Sequence, residues 1–341
     1  MNYSDIIGQN IIVESLTNAV KNNMVANGYI FSGPEGCGKK LMASVFAMAL
    51  NCSSKDGEIP CNHCSSCLRV ISGNHPNVDI VKPTGQTIKI KQIRQIISDV
   101  AKKPFESGYK IVILESAEKM TNDAQDAFLK TLEEPPQNTV FVLLSENYNL
   151  ILPTIVSRCQ VYQFNPVPVE AMKKYLQGKY DYPAADIDAA ARYSGGTVGR
   201  ALELLQDKSI LQERNIFIEI LDKTLIGSCN DALALASDSV GTKDSAEAFL
   251  NFCLEWFRDL MLFSDAQGAD CKLLLNADKT SILSKHSSAL TEGRLNSIME
   301  IIKNTIRYVK HNVSIKNSID GMLLNIAEVS LYNGKDNRSK I

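Results

Sequence analysis

The stretch that most constrains this chain is Gly33-Pro34-Glu35-Gly36-Cys37-Gly38-Lys39-Lys40. An apolar run, Tyr29-Ile30-Phe31-Ser32, leads into it, and a helical pattern from Leu41 to Leu50 follows. Strand, glycine-rich turn and helix, in that order, form the setting that a phosphate-binding loop requires. Glycines let the backbone curl so that several N–H groups converge on phosphate oxygens. The helix N-terminus adds partial positive charge, and Lys39 adds a full one. Gly33, Gly36, Gly38, Lys39 and Lys40 are therefore the candidate phosphate-binding residues. The motif ordinarily closes on Ser or Thr, whose hydroxyl ligates Mg²⁺, and this chain has Lys40 there. A cation stands where a metal ligand belongs. Two readings stay open: an inherited fold element that holds no nucleotide, and a loop that binds ATP or ADP without hydrolysing it.

Further along, Val78–Val81 and Gln160–Phe164 read as short strands, and Lys110–Leu114 and Thr139–Ser145 as buried strands. Helical patterns alternate with them: one through Ile12 and Leu16, one with Ile90, Ile93, Ile97, Val100 and Ala101 on a common face, and one from about Thr121 to Pro135. Alternation of this kind predicts a parallel sheet covered on both sides, with ligands at the carboxyl ends of the strands. Glu115 follows the third strand, where a metal-supporting carboxylate is expected. The next residue is Ser116, and a hydroxyl without an adjacent base is a poor general base at neutral pH. Lys40 and Ser116 are independent deficits, and both argue against ATP hydrolysis by this chain alone.

Cys52, Cys61, Cys64 and Cys67 give C-x8-C-x2-C-x2-C. Four thiolates in one short segment match a tetrahedral Cys₄ zinc site, and four sulfurs leave no open position for water, so the role is structural. Cys37, Cys159, Cys229, Cys253 and Cys271 are scattered and read as packing residues. Free or metal-bound thiols fit a reducing compartment, and a start without a basic, apolar leader points to a cytoplasmic protein. No apolar run approaches the ~18 residues of a membrane span. A net charge of −2 lacks the basic excess of a protein that grips DNA alone. Contact with nucleic acid would then come within a larger assembly.

With 341 residues, two or three domains are expected. Residues 1–165 form the phosphate-loop domain, with the cysteine module at about 51–68. Residues 166–207 hold three short helices, 208–334 an all-helical domain, and 335–341 a polar tail expected to fray.

Taken together, Gly8-Gln9, the phosphate loop, the four cysteines, Asn122 to Pro136 (with Leu129-Lys130-Thr131-Leu132-Glu133-Glu134-Pro135) and Ser157-Arg158-Cys159 resemble bacterial clamp-loader AAA+ subunits. The resemblance covers residues 6–200. It implies a P-loop AAA+ sheet domain with a zinc module, a small helical lid and a helical C-terminal collar. Within that family, the residues resemble the non-hydrolysing stator more than the self-sufficient motor ATPase, which needs an intact loop and an Asp-Glu pair after the third strand.

The resemblance also implies roles. Arg158 would complete the ATP site of an adjacent motor subunit as an arginine finger, and Arg200 matches a position that touches bound phosphate. Ser145-Glu146-Asn147 matches a second sensing position loosely. Lys91 and Arg94 read either as contacts to template phosphates or as a solvated helix face. The implied partners are the motor and clamp-opening subunits of a heteropentamer, the sliding clamp, and primer–template DNA within the complex, with no membrane.

Overall fold

The apolar runs between turn signals become five strands of one parallel sheet. In this computed structural model, which describes residues 1–54, 59–101, 108–265, 274–311 and 313–331, the strands are β1 (Gly28–Ser32), β2 (Val78–Val81), β3 (Lys110–Leu114), β4 (Thr139–Ser145) and β5 (Gln160–Gln163). Their order is β2-β3-β4-β1-β5, all neighbours parallel. β1 and β4 are buried along their whole length, and so is β3 apart from Lys110. These three strands carry continuous apolar runs because helices cover both faces.

Alternate side chains serve the two faces. Tyr29, Phe31, Ile111, Ile113 and Val142 pack with α1 (Asn10–Lys21), α2 (Lys39–Asn51) and α3 (Ser65–Ile71). Ile30, Val112, Leu114, Phe141 and Leu143 pack with α4 (Ile90–Val100), α5 (Asn122–Glu133) and α6 (Pro153–Val156). α7 (Val169–Lys179) follows β5. The face expected for α4 shifts slightly: Ile93, Ile96 and Val100 are its buried residues, while Ala101 is exposed because the helix stops one residue before it. The short α3 and α6, of seven and four residues, lie below the length at which hydrophobic periodicity is readable.

The chain divides into two compact units, Met1–Asp181 with Gly196–Arg200, and Tyr182–Gly195 with Ala201–Ile341. The second is all-helical among the described residues. It holds α8 (Ala184–Tyr193), most of α9 (Val198–Gln206), α10 (Lys208–Leu225), α11 (Cys229–Ser239), α12 (Lys243–Asp265), α13 (Thr280–Ala289), α14 (Glu292–Lys310) and α15 (Ile315–Leu331). Phe217, Phe249, Phe252 and Trp256 form its aromatic core. Arg214, 3% exposed, forks onto Asp278 at 2.7 and 2.8 Å, donates to Asn276 Oδ1 and lies over the Tyr193 ring. That network ties the 276–278 segment to α10. The tail and Cys271 lie outside the described residues. No helix among them is long and apolar enough to cross a membrane.

α13 has few apolar residues and was not legible as a helix, yet it carries a fully buried His286. Trp256 Nε1 donates to His286 Nδ1 (3.1 Å), so the ring proton sits on Nε2 and is given to Asp222 Oδ1 (3.0 Å). Lys285 also reaches Asp222, at 2.9 Å. Burial holds the His286 pKa below its ordinary value, although Asp222 pulls it up. A base depressed in the folded state binds its proton more readily when unfolded. Its stabilising contribution is therefore complete above the free-imidazole pKa of ~6.5 and declines as pH falls through it. The depressed Asp222 carboxyl acts in the same direction at lower pH. The melting midpoint followed by circular dichroism is expected to drop between about pH 7 and 5, and His286→Gln to flatten the upper part of that drop.

Candidate functional site

The loop after β1 takes three positive-φ glycines, Gly33 (154°), Gly36 (76°) and Gly38 (94°). At Gly33 a side chain is excluded by contact as well as by conformation: a Cβ there would lie 2.5 Å from the Phe164 carbonyl oxygen. Gly33 N–H donates to Ser145 O (3.1 Å), and Gly199 N–H donates to Gly36 O (3.0 Å). The loop is thus pinned at its start by β4 and at its crest by the first turn of α9. Gly199 packs so closely that a Cβ would come within 3.0 Å of Gly36 Cα.

Both loop lysines are engaged by the chain itself. Lys39 Nζ donates to the Gly33 carbonyl and, at 2.8 Å, to the Pro34 carbonyl. Lys40 Nζ lies 2.8 Å from Glu115 Oε1, an ion pair whose angles fall short of a hydrogen bond. Beside it Ser116 is held at φ 53°, a conformation that favours glycine. Glu118 is half-buried, with Oε2 lacking a hydrogen-bond partner. Mg²⁺ calls for near-octahedral oxygen ligands, several of them water. Here the loop offers an ammonium in place of a hydroxyl, and that ammonium already occupies the β3 carboxylate. The residues present do not fit Mg²⁺.

Arg200 comes to the loop: its backbone nitrogen stands 3.4 Å from where a Gly36 Cβ would sit, and its side chain is exposed. Of the Ser145-Glu146-Asn147 triplet, Ser145 anchors the loop, and Asn147 caps the short turn that follows by accepting from Asn149 N–H. Arg158 lies elsewhere. Its carbonyl oxygen is 3.3 Å from a Cβ built on Gly28, at the first residue of β1, whereas the phosphate loop begins after the last. Five residues at ~3.3 Å each put about 16 Å of strand between them. The Arg158 side chain is 38% exposed, with Nη2 on Glu133 Oε1 (2.7 Å) and Nη1 on the Thr154 carbonyl (2.9 Å). Glu133 as its partner was not anticipated, since nothing in sequence spacing links two residues 25 apart. Lys91 and Arg94 are both exposed on α4, which covers the opposite sheet face from α2. The structure does not gather them with the loop.

The four cysteines do come together. Their sulfurs all lie within 4.8 Å of one another, close to the ~3.8 Å edge of a tetrahedron with 2.3 Å zinc–sulfur bonds. Cys52 caps the C-terminus of α2 and Cys64 the N-terminus of α3. The backbone N–H of Cys64 points at Cys61 Sγ and that of Cys67 at Cys64 Sγ, each at 3.4 Å. Such amides stabilise negative sulfur. Burial alone would push the Cys64 thiol up, but hydrogen bonds from Ser53 and the Cys67 backbone outweigh it and bring it to about 5. Cys67 is driven the other way by burial and by the neighbouring sulfur of Cys64. Four sulfurs this close cannot all ionise without a cation among them, so the donor set fits zinc. His63 is exposed, its Nδ1 on the Cys61 carbonyl. Cys159 and Cys253 are pushed up by burial, Cys159 to about 12, as suits inert packing.

Residues 8–168 match the family model described as DNA polymerase III, delta subunit. The delta' subunit of DNA polymerase III from Bacillus subtilis (strain 168) is 36% identical over 165 residues, covering 48% of this chain and 50% of that protein. The tau subunit from the same organism is 26% identical over 289 residues, covering 79% and 51%. The chain thus spans about half the length of these curated relatives. Among solved structures, a gamma subunit-related protein of DNA polymerase III from Thermotoga maritima aligns at 18% identity with a TM-score of 0.46, over 92% of this chain and 99% of that one. Through its sheet domain, residues 8–168, the chain is therefore similar to subunits of DNA polymerase III.

Proposed function

We propose that this chain is the delta-prime, stator subunit of a bacterial DNA polymerase III clamp loader. In this reading it lends Arg158 to the ATP held by a neighbouring motor subunit of the tau/gamma type. Its own loop does no hydrolysis, and its helical C-terminal unit serves as the collar that holds the subunits together. Motor and delta subunits, the sliding clamp and primer–template DNA are the partners, and four cysteines hold a structural zinc.

The observation that carries the reading is the separation of Arg158 from its own loop. About 16 Å of strand stands between them, further than an arginine side chain reaches, so Arg158 can serve only a phosphate brought by another molecule. An exposed guanidinium at such an edge can offset the negative charge that develops on a transferred γ-phosphoryl group. The residues around the loop support the other half of the reading, since neither Lys40 nor Ser116 suits metal-assisted hydrolysis.

A second reading, a self-sufficient motor of the tau/gamma type, is favoured by the longer alignment with tau, 79% of this chain. Turnover separates the two. The purified chain given Mg-ATP and primed DNA is expected to show no hydrolysis above background. Added to motor and delta subunits, it should restore clamp- and DNA-stimulated turnover. Robust hydrolysis by the chain alone would select the motor reading.

A further inference from the structure

The misfit between the loop and Mg²⁺ has a defined chemical cause, and from it we infer that the Lys40–Glu115 ion pair is a built-in lock against divalent metal, with Lys40 as the residue that sets it. The inference concerns this chain's own loop and stands whether or not Arg158 serves a neighbour.

Two ligands would ordinarily support the metal at this place, a hydroxyl from the first turn of the helix and a carboxylate after the strand. Lys40 removes both at once. An ammonium has three donors and no lone pair, so it cannot ligate a cation. Its positive charge, 2.8 Å from Glu115, engages the carboxylate that follows β3. Lys40 is about half exposed and could swing outward, but the hydroxyl would still be missing. Everything else about the loop is kept: the positive-φ glycines, the anchor on Ser145, the contact with Gly199, and Lys39 folded over the Gly33 and Pro34 carbonyls. The backbone cradle is intact, and the defect in metal binding is confined to this ion pair, Ser116 bearing on hydrolysis rather than on the metal.

A defect so confined should be reversible by one substitution. The test uses the full chain with its metal module and follows Mn²⁺, a paramagnetic stand-in for Mg²⁺, together with a fluorescent ADP, each titrated with and without the other. Wild type is expected to show no Mn²⁺ bound at the loop, and an ADP affinity, if measurable, that is the same in Mg²⁺ as in EDTA. Lys40→Thr restores the hydroxyl and frees Glu115. It should bind Mn²⁺ together with ADP, with affinity for ADP at least ~10-fold higher in Mg²⁺ than in EDTA. Adding Glu115→Gln to Lys40→Thr should remove that gain, which distinguishes release of the carboxylate from a mere change of charge. An unchanged melting midpoint in Lys40→Thr, expected for a half-exposed position, shows that the loop is still formed. Wild-type ADP binding that requires Mg²⁺, or a folded Lys40→Thr with no metal dependence, overturns the lock.

Discussion

Replacing Arg158 by alanine is expected to slow hydrolysis at the neighbouring motor site by ~10³-fold or more, the usual cost of losing an arginine finger, and so to lower sharply the clamp- and DNA-stimulated ATPase of the reconstituted loader. That corresponds to about 4 kcal/mol of lost transition-state stabilisation at the affected site. The fold should hardly notice. Arg158 is partly exposed, and its partner Glu133 is 43% exposed. An ion pair of that kind contributes on the order of 1 kcal/mol or less. Assembly with the motor and delta subunits, read by gel filtration, should therefore survive while turnover falls. Arg158→Lys should recover only part of the rate, because a point charge replaces a planar fork. Glu133→Gln is the companion variant: it releases the guanidinium from its carboxylate without touching phosphate. Unchanged turnover in Arg158→Ala would end the finger assignment.

The second large effect concerns the cysteine cluster. Purified chain that has not met a chelator is expected to carry one zinc per molecule by metal analysis, with Cys52, Cys61, Cys64 and Cys67 protected from thiol reagents. Structural zinc contributes as much as ~10–16 kcal/mol in isolated finger peptides. The figure should be smaller here, because Cys67 and Val70 of α3 are already buried against the sheet domain. Cys67→Ser, or a strong chelator, should cost roughly 3 kcal/mol and lower the melting midpoint of the sheet unit by about 6–12 °C. A metal content near zero with four freely reactive thiols would rule the site out.

Much of this was legible in the sequence, for identifiable reasons. The strands β1, β3 and β4 are continuous apolar runs bounded by turn residues, and that pattern has few other solutions. The glycine spacing of the loop and the spacing of the cysteines are local signals, so residues 33–40 and 52–67 could be read without a fold. What escaped depends on distance in sequence. The Lys40–Glu115 and Arg158–Glu133 pairs join residues brought together by strand order. α13 was missed because its burial rests on a histidine held by Trp256 and Asp222 rather than on an apolar stripe. Lys91 and Arg94, which the sequence leaves as template contacts or a solvated helix face, are both exposed on α4.

Trp256 is the chain's single tryptophan; it is fully buried in the helical unit with its indole N–H on His286. Intrinsic fluorescence excited at the indole band is consequently a spectroscopic label for that unit alone, already installed by nature. Stripping metal from the cysteine cluster should leave its emission wavelength in place, whereas acidification should shift it. One cuvette can thus tell which half of the molecule a perturbation has reached.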